Sequence, residues 1–169
     1  LNSPIGKIKT KTDFPQFTFQ FTKSFKNVLD GDFNFSQLNL RILHKIKPLR
    51  KGSTSVLLES GLVLGDAPIS HLFNATPNYT FKNPSSRRVT FAGKMSFETM
   101  GYNEFISDKF IALHLKQNFE PFKLGKSFKP QISIATRAAI GSIKNPEYHV
   151  GLDFRGMEKG YFESGMEIN

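Results

Sequence analysis

The chain has no cysteine and no tryptophan among its 169 residues. Without thiols it can build neither a disulfide scaffold nor a cysteine-ligated metal or iron–sulfur site. No apolar run approaches the ~20 residues that a membrane helix needs, so helical spans are excluded. The phosphate-cradling pattern G-x-x-x-x-G-K-[ST], the dinucleotide pattern G-x-G-x-x-G, the zinc pattern H-E-x-x-H and the nucleophile turn G-x-S-x-G are all missing. The four histidines, His44, His71, His114 and His149, are scattered without ligand spacing, so neither a metal nor a cofactor is expected. Mean hydropathy is −0.31, which reads as soluble at first sight. Strands that cross a membrane alternate apolar with polar residues and escape such averages, so membrane strands remain open.

What is present is a period of two. Phe17, Phe19 and Phe21 alternate with Gln16, Thr18, Gln20 and Thr22 within residues 15–25. Leu38, Leu40 and Ile42 alternate with Asn39 and Arg41 in a strand over 33–46. Val56, Leu58, Leu62 and Leu64 share a face opposite Glu59 and Gly61. Further strands set Ile111, Leu113 and Leu115 against Ala112, His114 and Lys116, and Ile132 and Ile134 against Ser133, Ala135 and Arg137. The last sets Phe162, Met166 and Ile168 against Glu163, Gly165 and Glu167. A short strand over 7–11 is a seventh candidate. No amphipathic helix of normal length is expected. The fold class is therefore all-β and antiparallel.

One face of these strands carries Phe, Leu, Ile, Val and Met. The other collects Gln20, Arg41, Glu59, His114, Lys116, Arg137, Glu163 and Glu167. A soluble sheet points such a polar face at water, whereas a membrane barrel turns it inward to a wet lumen. Connection lengths separate the two readings. Residues 47–52 and 26–32 make short connections and 120–129 a moderate one, but 65–94 and 144–160 are long. If the strands run up and down, the two longest connections leave from one end, as they do in outer-membrane barrels. Loops of that length are uncommon in compact soluble domains unless they are functional. The expectation is an up-and-down transmembrane β-barrel, present only in part. Six or seven strands fall short of the about eight that close a single-chain barrel. Residues 1–169 would then be one portion of a barrel domain whose N-terminal and final C-terminal strands lie elsewhere in the same polypeptide.

The charged residues admit a catalytic reading and a structural one. Glu98, Glu104 and Asp108 lie close in sequence, as do Glu163 and Glu167, and the spacing of Glu104 and Asp108 would put both on one face of a strand. Paired carboxylates can do acid–base work when their pKa values are pushed apart, and Glu104, Asp108 and His114 would carry an outer-membrane hydrolase. The structural reading has the carboxylates pairing with Arg41, Lys116 and Arg137, since buried charge needs partners; it is preferred, and no catalytic residue is expected. The net charge of +9 raises anionic partners. Lys45, Lys47, Arg50 and Lys51, then Lys123, Lys126 and Lys129, fall in turns, the second group flanked by Phe122 and Phe128. Aromatics in register on a sheet face would bind single-stranded nucleic acid; these sit in turns, so lipid headgroups are the expected neighbours and nucleic acid is not.

Three segments carry a resemblance. They are 65–72 in the form G-x-x-P-x-x-x-L, Phe97-Glu98-Thr99-Met100 with the following block from Asn103 to Phe110, and 161–169 in the form Y-x-E-x-G-x-x-I-x-N. In that order they resemble the C-terminal barrel of a Bacteroidota outer-membrane family of unknown function, whose members often carry an N-terminal carboxypeptidase-regulatory-like domain. The family is distantly similar to the BamA-type surface-antigen barrels. The resemblance implies outer-membrane lipid and other envelope proteins as partners, and a non-catalytic role in pore formation or surface assembly. It singles out Phe97, Glu98, Met100, Glu104 and Asp108 as a long-loop motif. BamA-type barrels pin such a loop with an arginine at its tip and an acid on a strand. Here residues 96–100 hold no arginine or glycine, and 132–141 hold no acid, so that lock does not carry over. The alternative of another class is a soluble all-β module binding an anionic lipid, glycan or peptide.

Overall fold

The computed structural model describes residues 2–3 and 6–7 (backbone), 14–28, 31–47, 52–75, 96–101, 103–123, 129–149, 151 and 153–168. Two short strands, β1 (Asn2–Ser3) and β2 (Gly6–Lys7), pair with each other. The body is one sheet of β3 (Gln16–Ser24), β4 (Asn34–Ile46), β5 (Ser53–Asp66), β6 (Lys109–Asn118), β7 (Ile132–Ser142) and β8 (Tyr161–Ile168). These six lie side by side in chain order, each antiparallel to the next. The sheet is an up-and-down meander that does not close on itself. Among the described residues, helix is confined to two three-residue 3-10 turns, Ile69–His71 and Pro146–Tyr148. None is long enough to cross a membrane.

Residues that face one another across an antiparallel ladder share a side of the sheet. The register joins Thr18, Arg41, Glu59, Ala112, Ala139 and Tyr161 in one row. A second row runs Leu43, Leu57, His114, Arg137 and Glu163. The polar face read from the sequence is thus one continuous surface, and the Phe, Leu and Ile positions form the other. Its strands are long: β4, β5, β6 and β7 have 13, 14, 10 and 11 residues, where strands of globular proteins cluster near 5–6.

The core lies on the polar side. Nothing in the described chain packs over the apolar side, where Phe17, Phe19, Phe162, Met166 and Ile168 are each more than 60% exposed. Over β5 to β7 the opposite face is covered by the described parts of the connection between β5 and β6, residues 67–75, 96–101 and 103–108; β6 begins at Lys109, beyond the end at 94 read from the sequence. Phe73 from this connection joins Phe35 and Val63; Ala75, Phe97 and Met100 join Ala112, Ala139 and Met157. The sheet is hollowed to receive it. A Cβ on Gly61 would lie 2.5 Å from the Phe73 ring, and one on Gly141 would lie 2.6 Å from Ser107 Oγ.

One expectation changes. No strand carries Glu104 and Asp108 on one face: both precede β6, in chain held only by isolated bridges from Phe73 to Ser107 and from Phe105 to Arg155. Of the short strand expected over 7–11, Lys7 ends β2 and 8–11 lie outside the described residues. Of the basic turns, Arg50, Lys51, Lys126 and Phe128 also lie outside the described residues.

Candidate functional site: an arginine clamp between sheet and loop

Arg137 stands in the middle of β7, with its side chain 4% exposed. Strand geometry points it to the polar face, and the ladder places Glu163 of β8 directly opposite. Its guanidinium forks: Nη1 donates to Glu163 Oε1 at 2.9 Å, and Nη2 donates to Glu98 Oε1 at 2.8 Å. Glu98 belongs to the 67–108 connection, so one cation binds a strand acid and a loop acid together.

Glu163 completes the attachment. Its Oε1 also accepts the backbone N–H of Glu98 at 2.8 Å. Its Oε2 accepts the Thr99 N–H at 3.0 Å and the Thr99 hydroxyl at 2.7 Å. Thr99 Oγ1 in turn lies 2.6 Å from the Tyr161 hydroxyl. A carboxylate accepting this many donors is well satisfied, and hydrogen bonds between ionised groups are the strong class. Apolar contacts frame the polar ones. The Phe97 ring tilts against His114 at 4.8 Å and meets Tyr161 edge-on at 5.4 Å.

The remaining polar residues form a strip along the same face. Arg41 Nε lies 3.3 Å from Glu59 Oε1, and Glu59 Oε2 lies 3.7 Å from His114 Nε2. That last separation is too long for a hydrogen bond, and both buried ring nitrogens of His114 lack one among the described residues. Toward the short-turn end, Lys116 bridges two strands to Glu167 at 2.7 Å. Asn118 connects Ser53 with Ser133 there. The eight polar-face residues read from the sequence therefore share one surface, each ion pair crossing from strand to strand or from strand to loop.

The long-loop motif is used unevenly. Phe97 and Met100 are fully buried anchors. Glu98 enters the clamp. Glu104 folds back to accept the Gly101 N–H and lies 4.0 Å from Arg155. Asp108 accepts the Lys144 N–H. Glu104 and Arg155 also exchange backbone contacts, since Arg155 N–H donates to Glu104 O and Ile106 N–H donates to Arg155 O. The β7–β8 connection is thereby stitched to the β5–β6 connection. Glu104, Asp108 and His114 do not converge on a catalytic centre: Asp108 lies six residues from His114, about 20 Å along extended chain, and Glu104 and Asp108 accept from different backbone groups, Gly101 and Lys144. Among the described residues no group of three or more His, Asp or Glu could hold a metal.

Arg137 of β7 therefore ties the connection to the sheet. The strand supplies the arginine and the loop the acid, with a second acid from the neighbouring strand. Sequence reasoning set Glu98 and Glu163 among acids that pair with Arg41, Lys116 or Arg137 without saying which acid meets which base; Glu98 stands 39 positions from Arg137.

A model for the C-terminal domain of a family of unknown function, DUF5686, matches residues 1–126. The chain belongs to that family. The match takes in β1 to β6 and the whole 67–108 connection, including Glu98; β7 and β8, which bring Arg137 and Glu163, follow it. No curated protein and no solved structure matches the chain.

Proposed function

We propose that this DUF5686 domain is part of an outer-membrane β-barrel with a structural, pore-forming or surface-assembly role and no catalysis of its own. The observation that carries this reading is the inversion of the sheet. The charged face is the covered one, and the Phe, Leu and Ile face is left bare. In water that arrangement wastes the hydrophobic effect, since soluble monomers rarely expose contiguous apolar patches beyond a few hundred Å². In a bilayer it is the favourable one: apolar side chains face lipid, and paired charges line the lumen.

Two further features support it. A tilted transmembrane strand needs about 9–11 residues, and β4 to β7 reach that span. The connections on the two sides are unequal, with 67–108 and 143–160 both leaving from one end. Edge strands β3 and β8 have unpaired sides among the described residues, which hydrocarbon does not tolerate. In this reading further strands of the same polypeptide pair with them and close the wall. Outer-membrane lipid is the principal partner, with other envelope proteins at the long-loop end. The soluble binding module draws no support from the bare apolar face.

The reading is tested by gel mobility of the full-length protein, extracted from membranes in mild detergent and run cold or boiled. A closed barrel resists detergent when cold and shifts on boiling. A protein that shows no shift and is soluble in plain buffer would refute the membrane assignment.

A further inference from the structure

We infer that a cavity at the long-loop end of the sheet is a binding site for a short neutral oligosaccharide. The site goes beyond the barrel reading and does not depend on it. The cavity holds about 760 Å³, within the range of about 300–1,000 Å³ usual for small-ligand pockets. Every residue that lines it is among the described residues. Val63 of β5 and Asp108, just before β6, line it from the sheet. Ile69 and Leu72, of the first 3-10 turn and its cap, stand on one side; Tyr148 and His149, of the second, stand on the other.

The protein itself fixes both sides. Gln37 Nε2 donates to the His71 carbonyl at 3.1 Å, and the Phe35 ring packs on the His71 ring at 4.9 Å. Opposite, the Asp108 N–H donates to Ser142 O at 3.0 Å, and Asp108 Oδ2 accepts the Lys144 N–H at 2.9 Å. A cavity formed in advance spares a ligand the cost of ordering its walls. One acceptor there is unused: Asp108 Oδ1 is buried and receives no hydrogen bond among the described residues. A buried oxygen without a donor is costly, so the site favours a ligand that donates.

The lining selects among donors. Asp66 and Asp108 oppose an anion, and the exposed Lys144 opposes a cation. Asn145 and His149 each bring both a donor and an acceptor. A neutral polyhydroxyl ligand suits that mixture, because every hydroxyl both donates and accepts. The carbon–hydrogen faces of its rings need apolar partners as well. Tyr148 is 74% exposed, so its ring is open to stack on a sugar, and Phe33, Ile69 and Leu72 add apolar surface. A metal ion does not fit, since Asp66, Asp108 and His149 form no group that could hold one. In the barrel reading the cavity lies with the long connections, and its ligand would come from outside the cell.

Saturation-transfer NMR on the full-length protein, in an amine-oxide detergent that carries no sugar headgroup, tests the site. The probes are maltose, cellobiose, lactose and diacetylchitobiose, with choline and acetate as charged competitors. At least one disaccharide is expected to receive saturation at millimolar concentration, and neither competitor to displace it. Tyr148→Ala removes an exposed ring far from the buried anchors and should weaken that binding about tenfold or more. Asp108→Asn keeps an acceptor for the Lys144 N–H, gives up the carboxylate and should lower affinity by a similar factor. The tyrosine variant keeps the test valid if the aspartate variant does not assemble. Transfer to none of the disaccharides overturns the site, as does binding undiminished in both variants. Displacement of the disaccharide by choline or acetate overturns the neutral class of ligand. The boiling shift is read on the same samples: a shift without saccharide binding removes this site alone, and saccharide binding without a shift removes the barrel alone.

Discussion

Arg137 shows why a charged residue can sit in the middle of a strand. Burying a guanidinium is costly unless each face of its fork is met by an acceptor. Glu163 and Glu98 meet both, from two chain segments that the fold brings together. Lysine cannot replace it, because an ammonium is a point donor and does not fork to two carboxylates. Arg137→Lys should therefore lose one charge-assisted bond and cost about 1.5–3 kcal/mol. Arg137→Ala should cost more, about 3–5 kcal/mol, because it leaves two half-buried acids facing each other uncompensated. The measurement is the urea midpoint of the heat-modifiable form in detergent. Equal midpoints for native protein and Arg137→Lys would show that only one of the two contacts matters to stability. The sequence at this scale was half legible. A mid-strand arginine on the polar face could be read from alternation with Ile132 and Ile134. Its partners could not, because Glu98 lies in chain without periodicity and was weighed only as one of several acids.

Strands were the most legible elements, since a period of two fixes both the type of element and the side each residue takes. Every strand placed by alternation of Phe, Leu and Ile recurs in the sheet, with its polar residues on one surface. The connection before β6 was misjudged. The isolated bridges of Phe105 and Ser107 mimic a strand in sequence, yet they are ties within a folded loop. Each strand also carries a test of which solvent its bare face meets. Leu113 sits mid-strand in β6 on the apolar side and is 38% exposed. In water Leu113→Arg would be nearly neutral. Against lipid it should cost about 2–4 kcal/mol at the midplane, and Ile46→Arg, at the end of β4, only about 0–1 kcal/mol. Urea unfolding of the full-length protein in lipid compares the two. Similar midpoints for both variants would contradict a membrane around β6.

At the scale of the whole molecule the connections carry the polarity. An antiparallel meander sends alternate connections to opposite ends, so 67–108 and 143–160 share one end, while the β4–β5 and β6–β7 turns share the other. The two long connections are also one structural unit, because Arg155 of the second pairs with Glu104, Phe105 and Ile106 of the first. Outer-membrane barrels place their long loops outside the cell and their short turns in the periplasm. That sidedness is open to direct measurement in intact cells. A small epitope inserted beside Glu147, exposed in the 143–160 connection, should be labelled by antibody without permeabilisation. The same epitope beside Lys123, exposed at the β6–β7 turn, should be labelled only after the outer membrane is opened. Neither insertion touches the clamp or the buried anchors Phe97, Met100 and Met157, so both proteins should retain their boiling shift. Labelling of both positions in intact cells would mean that the two ends face the same compartment. The bare face of the sheet would then need a cover other than lipid, and a second protein surface would be the first to seek.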